Sequence, residues 1–198
     1  MMSTTLVIHP KDATTDCLSV IYEGRGWDVI RDYNTPRREV ERQIRRHSRI
    51  IMLGHGTPFG LLAGGNIKGI LDRKTHFSRF HHYIVDDTFA DALQGKDTFS
   101  IWCNSDKFFK VHGLKGLHTG MIISEVGEEV VLPGVFKGDT WTPPLNEEQM
   151  AKNMELFCGA FAKYIDLTPE ECRKRVLEEY VGEDEVTQYN REGILVLR

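Results

Sequence analysis

The sequence predicts an α/β protein: a mostly parallel central sheet flanked by helices in three α/β/α layers. Three observations carry that expectation. Short apolar runs alternate with helix-period stretches through the first fifty residues, as βαβ units require. The runs at 50–53 (IIML) and 98–103 (TFSIWC) are apolar at successive positions, the pattern of strands covered on both faces. The chain has 198 residues, 40% hydrophobic and 27% charged, the makeup of one globular domain with a sizeable core. That single domain spans 1–198, with its core over about 5–126 and added helices within 146–180.

Residues 5–9 (TLVIH) read as the first strand, 14–24 as a helix and 27–31 (WDVIR) as the second strand. Thr35 as N-cap and Pro36 at the first helical position open a helix that runs through His47. Residues 50–53 form the third strand. The glycine-rich segment 60–71 (GLLAGGNIKGIL) reads as a short hairpin beside it, and 74–82 as loop. A helix over 83–94 leads to the fourth strand, 98–103. A helix over 106–114 and a fifth strand at 121–125 (MIISE) follow, with 128–132 extending the sheet and 133–144 a proline-rich loop. Two amphipathic helices are expected at 146–165 and 169–180; in the first, Met150, Met154, Phe157 and Phe161 share one face. Residues 194–197 form a last edge strand.

A formal charge of −4 argues against broad electrostatic binding of nucleic acid. No apolar run reaches the roughly 18–20 residues needed to span a bilayer. The opening residues lack the basic n-region and long apolar h-region of a signal peptide, so a cytoplasmic protein is expected, without nucleic-acid or membrane partners. Cys17, Cys103, Cys158 and Cys172 show no CxxC spacing or disulfide framework, which suits a reducing compartment.

Two of the buried strands end in reactive side chains, His55 in 50–56 (IIMLGHG) and Cys103 in 99–106 (FSIWCNSD). Open α/β sheets bind ligands beyond the carboxyl ends of their strands. In a strand order 2-1-3-4 the third and fourth strands are neighbours, and His55 and Cys103 leave the sheet side by side. Gly54 and Gly56 allow a sharp turn and a close backbone approach. The N–H groups of Gly56 and Cys103 are candidate oxyanion donors. A helix capped by Asn104, Ser105 or Asp106 would set its positive end near the sulfur, and with a nearby imidazole favour thiolate.

These strings resemble the caspase-like superfamily of cysteine peptidases, whose pattern is a strand ending in His-Gly and a second strand ending in the nucleophilic Cys. Here these are Leu53-Gly54-His55-Gly56 and Ser100-Ile101-Trp102-Cys103, with the His about 50 residues upstream of the Cys. The stretch 57–70 resembles the hairpin that often follows the family histidine, and the strand at 121–125 the one expected after the Cys helix. The resemblance covers about residues 5–126 and implies a caspase-like sheet of flavodoxin-like order. It also implies a cysteine endopeptidase with Cys103 as nucleophile, His55 as general base and Gly56 and Cys103 N–H as oxyanion hole. The substrate is then a peptide or protein, and no cofactor or metal is needed. Ile101 stands where the family carries an acid or glutamine, and Trp102 where it carries a small residue, so Trp102 would reshape the S1 pocket. Asp106, Asp86 and Asp87 are the acids available to a basic P1 side chain.

Other features have plainer readings. His76, His81 and His82 match no established metal-ligand spacing. His112 and His118 flank a turn close in sequence to the site. Arg37, Arg38, Arg42, Arg45, Arg46 and Arg49 read as a solvated helix face beside apolar Val40 and Ile44. Cys158 and Cys172 read as packing residues. The competing function from another class is a non-catalytic binding or regulatory module of caspase-like or flavodoxin-like fold, in which Cys103 is idle.

Overall fold

The structure, a computed structural model, describes residues 5–63, 83–128, 130–131 and 140–198. A six-stranded sheet forms its centre. Its strands are β1 (Thr5–Ile8), β2 (Asp28–Ile30), β3 (Arg49–Leu53), β7 (Asp97–Ile101), β8 (Gly116–Thr119) and β11 (Ile194–Leu197). Their order is β11-β8-β7-β3-β1-β2, parallel throughout except for β11, which pairs antiparallel with β8 at the edge. The first four strands therefore take the expected 2-1-3-4 order. In register, β3 and β7 run from Arg49 opposite Asp97 to Leu53 opposite Ile101.

Side-chain alternation divides the core between the two sheet faces. Val7, Ile51, Leu53, Phe99 and Ile101 point to one face, where α4 (Glu147–Tyr164), α5 (Pro169–Glu179) and a 3₁₀ turn (Asp16–Ile21) cover them. Leu6, Ile8, Ile50 and Met52 point to the other. There they meet α1 (Arg37–Arg46), α2 (Ala90–Leu93), α3 (Ser105–Val111) and a small antiparallel sheet of β4 (Gly56–Thr57), β5 (Gly60–Leu62) and β6 (Tyr83–Asp86). Two layers of cover over one sheet give the three-layer arrangement. Helix α6 (Glu185–Glu192) adds a satellite cluster in which Val186 meets Ile123 and Met150.

Long helices are where sequence and structure agree best. Asn146 caps α4 through a reciprocal box with Gln149, and Thr168 caps α5 ahead of Pro169. Arg49 secures the far end of the sheet, pairing with Asp97 at 2.6 Å and donating to the carbonyls of Ile165 and Leu167. Among the clustered arginines Arg37 also makes a tertiary pair, with Asp86. Arg42 and Arg45 make surface pairs with Glu39 and Glu41, while Val40 and Ile44 are buried.

Several expectations are corrected. The helix expected at 14–24 is a six-residue 3₁₀ turn. Residues 83–94 are not one helix: Tyr83–Asp86 is a strand, because Tyr83, Val85 and Asp86 pair with β5 while Ile84 and Val85 enter the core. Helix α1 begins at Arg37 with Pro36, not Thr35, in the cap position and no side-chain cap bond. The fifth strand of the sheet is Gly116–Thr119; residues 121–124 continue from it as irregular chain. Val130–Val131 (β9) pairs with Thr140–Trp141 (β10) in a separate ribbon and does not extend the main sheet. The hairpin expected at 60–71 is described only through residue 63, and its remainder lies outside the described residues, as do the loop 74–82 with His76, His81 and His82, and 133–139. Among the described residues, no helix is long and apolar enough to cross a membrane.

Candidate active site

Strands β3 and β7 end level with each other, and the chain leaves both at once. Gly54 donates to the Ile101 carbonyl at 3.1 Å, the last rung of the ladder, and its φ of +136° bends the chain outward. That conformation belongs to glycine. On the other strand, Asn104 follows Cys103 with φ 66° and ψ 27°, a left-handed conformation that Asn tolerates better than most residues. Its N–H donates to the Gly120 carbonyl at 2.9 Å. His55 and Cys103 thus come to one small cleft, shared with Thr14, Cys17, Leu18, Ile122, Met154 and Phe157. Its free volume is about 30 Å³, room for little more than a water.

The histidine is oriented by the loop after β1. Thr14 Oγ1 donates to Asp12 Oδ1 at 2.9 Å and lies 2.5 Å from His55 Nε2. A hydroxyl has a single proton. With that proton directed to Asp12, Thr14 accepts from His55, which assigns Nε2 as the protonated nitrogen and leaves Nδ1 as the acceptor. Neither Asp12 nor Thr14 stood out in the sequence, although Asp-x-Thr just past a strand end is an Asx-turn signal.

The thiol is at rest. Cys103 Sγ donates to the Ile122 carbonyl at 3.4 Å. Burial pushes it up to about 11; the Ile122 backbone offsets that in part, and the nearby Glu128 and Glu125 charges add to it. This reverses the expectation of a favoured thiolate. Burial outweighs the helix that follows, which has only seven residues. Glu128 sits where its charge acts on both His55 and Cys103. Its carboxylate accepts the N–H groups of Ser124 (2.7 Å) and Glu125 (3.1 Å), and burial raises its pKa while His55 opposes the rise.

The other expected site residues divide. Leu62 N–H bonds the His55 carbonyl at 2.9 Å, so antiparallel alternation turns the Gly56 N–H away from β5, as an oxyanion donor requires. Gly56 nevertheless serves packing first: a Cβ there would lie 2.0 Å from Trp102 Cδ1. Trp102 is 1% exposed, lies against Phe108 and Phe109 and donates Nε1–H to the Thr57 carbonyl at 3.2 Å. It is chiefly a core residue of the opposite face. Asn104 occupies the cap position of α3 without a side-chain cap bond. Ser105 is buried instead, donating to the carbonyls of Ser100 and Thr119. Asp106 is buried in the first turn of α3, away from the cleft lining. Asp86 is bound by Arg37 at 2.7 Å and caps the turn at Thr88, and Asp87 is exposed beside it. His118 is enclosed in β8, stacked on Phe109 at 3.8 Å, and His112 packs on Phe108, so neither lines the cleft. Among the described residues no group of three His, Cys, Asp or Glu is placed to hold a metal ion.

No family model, curated protein or solved structure matches this chain. What it can do chemically therefore has to be read from the cleft itself. It holds a thiol and an imidazole oriented by a hydroxyl, both beyond the carboxyl ends of parallel strands, with the Glu128 charge close enough to act on them.

Proposed function

We propose that this chain is a caspase-like cysteine endopeptidase, resting with its nucleophile protonated. The observation that carries this reading is the level ending of β3 and β7, which delivers His55 and Cys103 to one cleft. The base with an orienting partner, Thr14, adds support. On this reading His55 Nδ1 takes the thiol proton as Cys103 Sγ attacks a peptide carbonyl. The oxyanion is met by the N–H groups of Gly56 and Cys103, the amine leaves with the proton, and water releases the acyl group. Entry of a substrate side chain requires residues 121–124 or the 3₁₀ turn to yield, and displacement of 121–124 also frees the thiol from Ile122. A peptide or protein substrate and a cytoplasmic setting, where thiols stay reduced, belong to this reading.

The raised thiol favours one competitor, a non-catalytic module in which Cys103 is a packing residue. A pool of peptide acyloxymethyl ketones, which alkylate a peptidase cysteine with help from its histidine, separates the two. The peptidase reading expects an adduct on Cys103 that is lost in His55→Ala. Unlabelled Cys103, or equal labelling in His55→Ala, supports the module.

A further inference from the structure

The 3₁₀ turn after β1 lies against α4, and two cysteines meet there. Cys17 is exposed, whereas Cys158 is buried in the core between sheet and helices. Both line one open groove along α4 with Val20, Leu156 and Lys163. Solvent therefore reaches one sulfur of the pair while the other waits behind it. Interaction with Cys158 stabilises the Cys17 thiolate and brings it down to about 7; the same interaction, with burial, keeps the proton on Cys158. An exposed nucleophilic sulfur beside a protonated second thiol is the arrangement that reacts with peroxides and then resolves.

We propose that Cys17 and Cys158 form a hydroperoxide-reactive thiol pair that closes to a disulfide. The Cys17 thiolate attacks the O–O bond of a hydroperoxide; an S–O bond forms, the O–O bond breaks, and the expelled alkoxide or hydroxide takes a proton from water. Cys158 sulfur then displaces hydroxide from the Cys17 sulfenic acid, its own proton leaving with that hydroxide as water. Two thiols and one hydroperoxide become one disulfide, one alcohol (or water) and one water, with two electrons passing from sulfur to peroxide. The product ties the turn to α4. Because Cys17 also lines the cleft and Thr14, which orients His55, lies three residues earlier, the tie acts on the wall of that cleft. The pair's chemistry does not depend on Cys103 being catalytic.

The test treats the full chain with stoichiometric hydrogen peroxide at pH 7, followed by intact mass and a non-reducing peptide map. We expect a loss of about 2 Da and a Cys17–Cys158 linked peptide, in wild type and equally in Cys103→Ala. In Cys158→Ala, Cys17 is expected to stop at a sulfenic acid trapped by dimedone, and Cys17→Ser to show neither product. Before oxidation, iodoacetamide is expected to modify Cys17 at least about tenfold faster than any other cysteine at pH 7. A wild-type map in which Cys17 stays reduced, or pairs elsewhere, overturns the proposal. So does an alkylation midpoint for Cys17 near the ordinary thiol range. Because the Cys103→Ala protein gives the same readout, failure here is separate from failure of the peptidase reading.

Discussion

His55 and Cys103 each stand two residues beyond the same rung of the sheet, the pair Leu53–Ile101. The 48-residue offset of that rung is the offset of every rung between β3 and β7, from Arg49–Asp97 upward. The separation of the two reactive side chains is therefore the register itself. A one-residue change of length between the strands would have to be absorbed in the intervening segment or would break their common height.

Acid should destabilise the fold through two histidines. His9 and His118 are fully buried, and burial lowers them to about 4 and about 3 from 6.5. Below 6.5 the unfolded chain takes protons that the folded chain refuses, so stability is complete above that value and lost as pH falls toward 4. Each site contributes a slope of up to about 1.4 kcal/mol per pH unit in that window. Urea midpoints between pH 7.5 and 4.5 measure it, and His118→Phe is expected to flatten the slope. Parallel slopes for variant and wild type would refute the assignment to His118.

Gly56→Ala should lower stability without any catalytic argument. The new methyl meets the Trp102 indole, itself packed on Phe108 and Phe109, so neither side has room to move. Overpacking of this kind costs about 1–3 kcal/mol. Gly159→Ala, where φ is likewise not positive and no atom lies within 4 Å of the new methyl, is the uncrowded control in the same denaturation experiment. A cost at Gly56 no greater than at Gly159 would contradict the packing account.

The segment that carries the Ile122 carbonyl is held by Asn190. Its side chain accepts from Ile123 N–H at 2.8 Å and donates to the Ile123 carbonyl at 2.9 Å, inside a buried network with Tyr180. Asn190→Ala leaves both backbone groups unpaired, at a cost of about 1–3 kcal/mol. Hydrogen exchange at the Ile123 amide should accelerate well beyond the change seen in the β1 amides. Uniform acceleration would mean global loss of stability only.

Thr14→Val tests the orientation of the base. The peptidase account expects kcat to fall by at least about tenfold with KM little changed, and Thr14→Ser to restore most of it. A Val variant with wild-type kcat would remove Thr14 from the machinery.

The sheet was legible in the sequence because IIML and TFSIWC read as strands with no solvent face, and their shared edge followed from the strand order. Tyr83–Asp86 and 121–124 were misread for a common reason. A short apolar run carries no period that distinguishes strand, helix or irregular chain, and tertiary pairing decides. His55 and Cys103 were visible as strand-end residues. Thr14 was not, since the loop after β1 is brought to the cleft only by the fold, and neither was the electrostatic effect of Glu128. The direction of the Cys103 shift was also beyond reach, because it depends on the burial that Met154, Phe157 and Ile122 bring from distant parts of the chain. The Cys17–Cys158 contact similarly joins segments that only the fold brings together.

The most direct measurement is cleavage of a diverse peptide library, followed by mass spectrometry, in a Cys17→Ser background that silences the more reactive thiol. The account predicts a shared set of cut sites that disappears in Cys103→Ala and in His55→Ala. Cleavage that survives Cys103→Ala, or none from a folded Cys17→Ser protein at any pH from 6 to 9, would contradict it.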